Sequence, residues 1–158
     1  MKNNNLGFTL IELVLVMAVS ATLFGLVMFN LIGTQKSSEV GTQADTLISD
    51  LSSQQTKAML GAGTANGTDY GIHFDSNKYT LFKGSTYNSS DSNNFVVNID
   101  SGYQLVNTLT NGNVIFVSTT GTVSGFLSNK NTVTVQDKNG PKTKTITVNR
   151  YGVVTGEN

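Results

Sequence analysis

Gly7-Phe8-Thr9-Leu10-Ile11-Glu12-Leu13 opens the stretch that decides the architecture, an apolar run that reads FTLIELVLVMAVSATLFGLVMFNLI from Phe8 to Ile32. A polar leader, Met1 to Gly7, precedes it, and Glu12 is its single formal charge. About 20 apolar residues in helix cross a hydrocarbon core of about 30 Å, so the run is long enough to span a bilayer. A carboxylate inside such a run is the anomaly, since an ionised acid near mid-bilayer costs about 3 kcal/mol.

Three readings account for this start. In a secretory signal peptide, Lys2 would be a thin basic region and Val19-Ser20-Ala21 a small-residue cleavage site; the apolar run continuing through Leu23, Phe24, Leu26 and Val27, and Glu12 in its interior, speak against that. In a plain single-span anchor, Glu12 has no explanation. The third reading begins with a resemblance to the class III signal sequence of type IV prepilins, which implies cleavage after Gly7, a residue whose missing side chain lets the backbone enter a protease cleft. The freed Phe8 amine would then lie about one helical turn from Glu12, in a medium where an intermolecular ion pair is strong and an unpaired acid is penalised. The competing account of Glu12 is simple snorkelling to the headgroups.

The heptapeptide Gly7 to Leu13 resembles the class III signal sequence of type IV prepilins and pseudopilins. That resemblance implies cleavage between Gly7 and Phe8 by prepilin peptidase, N-methylation of Phe8, and use of Glu12 as the ion pair that sets subunit register in a filament. It also implies other pilin or pseudopilin subunits as partners, and a single-pass subunit of the bacterial inner (cytoplasmic) membrane with its globular domain outside.

Beyond Ile32, Val40, Ala44, Leu47, Ile48, Leu51, Ala58 and Met59 recur at helical spacing. With no Pro between Phe8 and Leu60, one helix of about 50 residues is expected. Gly25, Gly33 and Gly41 are candidate bends, and Gly61-Ala62-Gly63 is the stop. From Thr68 the period becomes two. Gly71–Phe74 and Tyr79–Phe82 read as a hairpin about an Asp75–Lys78 turn, and Gly84–Asn94 as a flexible polar surface loop. Strands are expected at Phe95–Ile99, Gln104–Leu109, Val114–Val117, Thr132–Val135 and Thr145–Val148, the last two paired about the Lys138–Lys142 turn. The resulting organisation is a leader (1–7), a transmembrane and assembly helix (8–32), its amphipathic continuation (33–60) and a β-rich domain (61–158). The fold class is α+β, a long helix packed on antiparallel sheet.

Asn113 to Phe116, Gly121 to Gly125, Thr145 to Asn149 and Gly152 to Val154 resemble the C-terminal half of H-type minor pseudopilins of type II secretion and FimT-like minor pilins. This implies a minor subunit of a secretion pseudopilus or type IV pilus. The rival it leaves open is a DNA-binding minor pilin for transformation, in which nucleic acid would be a partner. Here Gly152 is followed by Val153, Val154 and Thr155, not by basic residues.

Ten basic and ten acidic side chains cancel, giving no composition-level reason to expect a polyanion ligand. Lys130, Lys138, Lys142, Lys144 and Arg150 form the one local basic concentration, read either as edge strands blunted by Lys or as a weak anionic-surface patch. The single His, His73, alternates onto the polar side of a strand. The acids show no metal-ligand spacing, the Gly-rich pieces lack a phosphate-loop Lys, and there is no Cys. No catalytic residue, metal or cofactor is expected.

Overall fold

The computed structural model describes residues 9–61 and 67–157, the side chains of 28–37 and of 157 excepted. One α-helix, α1 (Leu10–Met59), is followed by eight strands: β1 (Tyr70–Phe74), β2 (Lys78–Lys83), β3 (Phe95–Asn98), β4 (Tyr103–Asn107), β5 (Asn113–Phe116), β6 (Thr132–Asp137), β7 (Thr143–Val148) and β8 (Val154–Glu157). The chain divides into two units, Met1–Ser37 and Ser38–Asn158, each described by itself. α1 is unbroken through Gly25, Gly33 and Gly41, so these glycines mark no bend in its assignment. The first unit exposes its apolar side chains throughout Leu10–Val27, a window of mean hydropathy 2.4.

In the second unit the helix buries Val40, Ala44, Leu47, Leu51, Gln54 and Ala58, spaced by four and three residues in turn, the repeat that keeps one stripe on one face. Met59 falls one residue past that stripe and is 52% exposed, which corrects its expected place on the apolar face. The helix ends as Gly61, in the left-handed region, donates its N–H to Ala58 O at 3.0 Å.

Two antiparallel four-stranded sheets, β3-β2-β1-β5 and β4-β6-β7-β8, supply the rest of the core. β6 and β7 pair about the expected turn, with Val135 opposite Lys144. The pairings β1–β5 and β4–β6 join strands far apart in sequence. β8, not expected as a strand, pairs with β7 beside a bulge at Thr147/Val148. Ile72, Phe74, Tyr79, Val114 and Phe116 of the first sheet and Leu105, Val133, Val135 and Ile146 of the second complete the core with the helix stripe.

Three acids flanking that stripe are gripped by the sheets. The Tyr79 hydroxyl on β2 donates to Asp50 Oδ2 at 2.5 Å, the Tyr103 hydroxyl on β4 donates to Glu39, and Lys144 Nζ on β7 lies 3.7 Å from Asp45 Oδ1. Burial, then the bond to Asp50, pushes the Tyr79 phenol well above its ordinary range. Tyr103 is pushed up to about 12, first by donating to Glu39.

Gly84–Asn94 is a surface segment, but it is pinned rather than free. Tyr87 stacks on His73 with ring centroids 4.0 Å apart and tilts against Phe82 at 5.4 Å, while Asn94 Nδ2 donates to Asn88 O at 2.7 Å. One aromatic residue in a polar run is enough to dock it, and composition alone conceals that.

The helix C-terminus meets the chain's last third at two glycines. Gly121 and Gly152 both have positive φ, and a Cβ on either would collide with Met59 or Gln55 of α1. Gln55 Nε2 donates to Gly121 O at 3.0 Å and to Tyr151 O at 2.6 Å. Only glycine permits both the left-handed backbone and this approach.

Candidate assembly site

α1 begins where Thr9 acts as N-cap. Glu12 N–H donates to Thr9 Oγ1 at 3.3 Å, and Thr9 N–H and Oγ1 each reach Glu12 Oε2 at 3.5 Å. This is a capping box, Thr-x-x-Glu, in which the two residues satisfy each other's end groups, with long bonds on the Glu side. Glu12 therefore has a local task in the single chain that the reading of its charge alone overlooked. The signal was present in the Thr9 to Glu12 spacing. A carboxylate in the first turn is also favoured by the positive end of the helix dipole.

Glu12 is exposed, and it is the one ionisable side chain in Leu10–Val27. Its long bonds to Thr9 leave acceptor capacity for a cation from outside the chain. In hydrocarbon such a carboxylate would demand a partner. Gly7 and Phe8 lie outside the described residues.

The basic residues do not form one patch: Lys138 and Lys142 bracket the β6–β7 turn, where Asp137 N–H donates to Lys142 O at 2.9 Å, while Arg150 lies beyond the far end of β7. Lys138 Nζ donates to Ser101 O at 3.0 Å, Lys144 pairs with Asp45, and Lys142 and Arg150 flank opposite ends of β7. Eight residues of strand-like chain put those two about 25 Å apart. Lys130 lies in the loop before β6, beside a cavity of about 160 Å³ floored by Val114, Val123 and Val148. The nearness of Lys142 and Arg150 in sequence is thus undone by the strand that intervenes.

His73 is engaged on all sides. Its Nδ1 is 2.7 Å from Asn113 Oδ1, its Nε2 is 3.5 Å from Asp75 Oδ1, and its ring carries Tyr87. These contacts give it a structural place in the first sheet. Among the described residues no three His, Asp or Glu side chains gather as metal ligands.

A family model described as the prokaryotic N-terminal methylation motif matches residues 2–28. No curated protein matches the chain. Among solved structures the fold is similar to that of the minor pseudopilin EpsH from the type 2 secretion system of Vibrio cholerae, with a TM-score of 0.51 and 18% sequence identity over 74% of this chain and 94% of that one. The chain thus carries an N-terminal methylation motif, and its fold is similar to that of a pseudopilin.

Proposed function

We propose that this chain is a minor pseudopilin, a structural subunit of a type II secretion pseudopilus that acts through subunit contacts and not through catalytic turnover. The observation that carries the reading is the coincidence, in one chain, of a prepilin methylation motif with a two-sheet head like that of a minor pseudopilin. The chain inserts in the bacterial inner membrane through Leu10–Val27 with its head outside. Prepilin peptidase cuts between Gly7 and Phe8, Phe8 is methylated, and Glu12 pairs with the new amine of a neighbouring subunit. The capping contact to Thr9 holds Glu12 in the first turn until that amine arrives. A DNA-binding role is not taken up, because Lys138 and Lys144 are engaged within the head and Lys142 and Arg150 are held apart.

The test is deletion of the chain in its own host. Loss of exported proteins from the medium, with loss of sheared filaments, is the expected result. Normal secretion with lost surface pili would move the chain to a type IV pilus, and no change in either would overturn the structural-subunit reading.

A further inference from the structure

β3 is an edge strand, paired among the described residues only with β2. Ile99 N–H donates to Asn77 O at 2.9 Å, one step beyond the Lys78–Asn98 pair, and this sets the alternation of the ladder. The amides of Phe95 and Val97 face β2, while the N–H and C=O groups of Val96 and Asn98 turn outward. No hydrogen bond to those outward groups occurs among the described residues. Natural sheets blunt such edges with Lys, Pro or a bulge, and Phe95-Val96-Val97-Asn98 has none of these. Phe95 is 65% and Val96 47% exposed.

Alongside this edge runs a groove of about 360 Å³, between Asp50, Ser53, Gln54 and Lys57 of α1 and Lys83 and Phe95 of the first sheet. Gln54 is 2% exposed; its Nε2 donates to Gly71 O at 3.3 Å, but its Oε1 has no hydrogen-bond partner among the described residues. A buried amide oxygen without a donor is costly, about 1–3 kcal/mol, and is unusual unless a partner arrives. The charge on the groove is positive in effect. Lys57 and Lys83 outnumber the one Asp50 carboxylate, which accepts from the Tyr79 hydroxyl, and Lys57 has no ion pair among the described residues.

We propose that β3 and this groove receive an extended, acidic segment of a partner subunit, which adds a fifth strand to the first sheet. Its backbone pairs with the outward groups of Val96 and Asn98. Alternate side chains enter the groove, where an apolar one packs on Phe95, a donor reaches Gln54 Oε1 and a carboxylate sits between Lys57 and Lys83. Strand addition draws affinity from the main chain and specificity from such side-chain pockets. The inference rests on the assembly reading of the chain, since it supplies the head with a subunit contact separate from the helix.

The experiment places a photoreactive benzoylphenylalanine at Val96, at Asn98, at Thr46 as an exposed control and at Val19 in the helix, each in the full chain in its host membrane. Expected are adducts from 96 and 98 to residues two apart on one acidic segment of a single partner subunit, none from 46, and roughly a tenfold loss of yield when Lys57→Glu and Lys83→Glu are combined. Adducts to a second copy of this chain, scattered adducts, or a yield untouched by charge reversal would overturn the proposal. Adducts from 19 with none from 96 or 98 would overturn strand addition while leaving the assembly reading standing. Absence of adducts from all four positions would overturn both.

Discussion

Replacing Gly152 with Ala should damage the head far more than the same change at Gly125, and the difference measures how the helix docks on the last third of the chain. Both glycines have positive φ, +77° and +59°, so each Ala carries the left-handed penalty of about 1–2 kcal/mol. At Gly125 a Cβ meets nothing within 4 Å, and the penalty ends there. At Gly152 it would stand 2.4 Å from Gln55 Nε2, 2.8 Å from the buried Phe116 ring and 2.9 Å from Gly121 O. Gln55 can withdraw, but only by giving up its bonds to Gly121 O and Tyr151 O, about 1 kcal/mol each. The ring and the backbone oxygen must be displaced as well, an overpacking cost of about 1–3 kcal/mol. We expect Gly152→Ala to destabilise the head by about 4 kcal/mol and Gly125→Ala by about 1 kcal/mol. For a unit of roughly 120 residues these correspond to Tm losses of roughly 15 °C and 4 °C. The assay is thermal unfolding of the full chain in detergent, followed by the near-ultraviolet circular dichroism of its tyrosines. Equal losses in the two variants, or a larger loss at Gly125, would refute the docking argument.

Tyr79→Phe removes the hydroxyl that holds Asp50 and should lower head stability by about 1–2 kcal/mol in urea unfolding, with no change in the slope against denaturant. Tyr103 has its folded-state pKa raised from 10 to about 12 by its bond to Glu39, so that bond's stabilisation is full below about pH 10 and is lost as pH rises through about 12. Urea midpoints should therefore fall across that window in the native chain and less steeply in Tyr103→Phe. Glu12→Gln keeps an acceptor for the Thr9 cap but removes the charge. Processing and head unfolding should stay within about 0.5 kcal/mol and within normal yield, while incorporation into sheared filaments should fall at least about tenfold on immunoblots.

Much of this architecture was legible because it is written locally. The apolar run from Phe8, the stripe from Val40 to Ala58 and the period-two segments each announce their element through spacing alone. What escaped depends on partners distant in the chain. Nothing near β1 says that it pairs with β5, and nothing near β4 says that it pairs with β6, so the division into two sheets could not be read. Gln54 and Gln55 look like solvent-facing helix residues until the sheets are brought against them. β8 is short and carries Gly156, which hides its strand character behind a turn signal. Lys142 and Arg150 clustered on paper because sequence distance ignores that β7 is an extended rod between them. Thr9 was the opposite case: its capping box was in plain view at the start of the decisive stretch, masked by attention to the charge it caps.

The central claim is that Gly7-Phe8 is a processing site and that Glu12 serves the helix this processing creates. It is tested most directly by the intact mass and N-terminal sequence of the protein extracted from its host membrane. A mature chain that begins at N-methylated Phe8 is the predicted result. A chain that begins at Thr22, or one that keeps Met1, would contradict the account, because in neither would a freed Phe8 amine exist for Glu12 to bind.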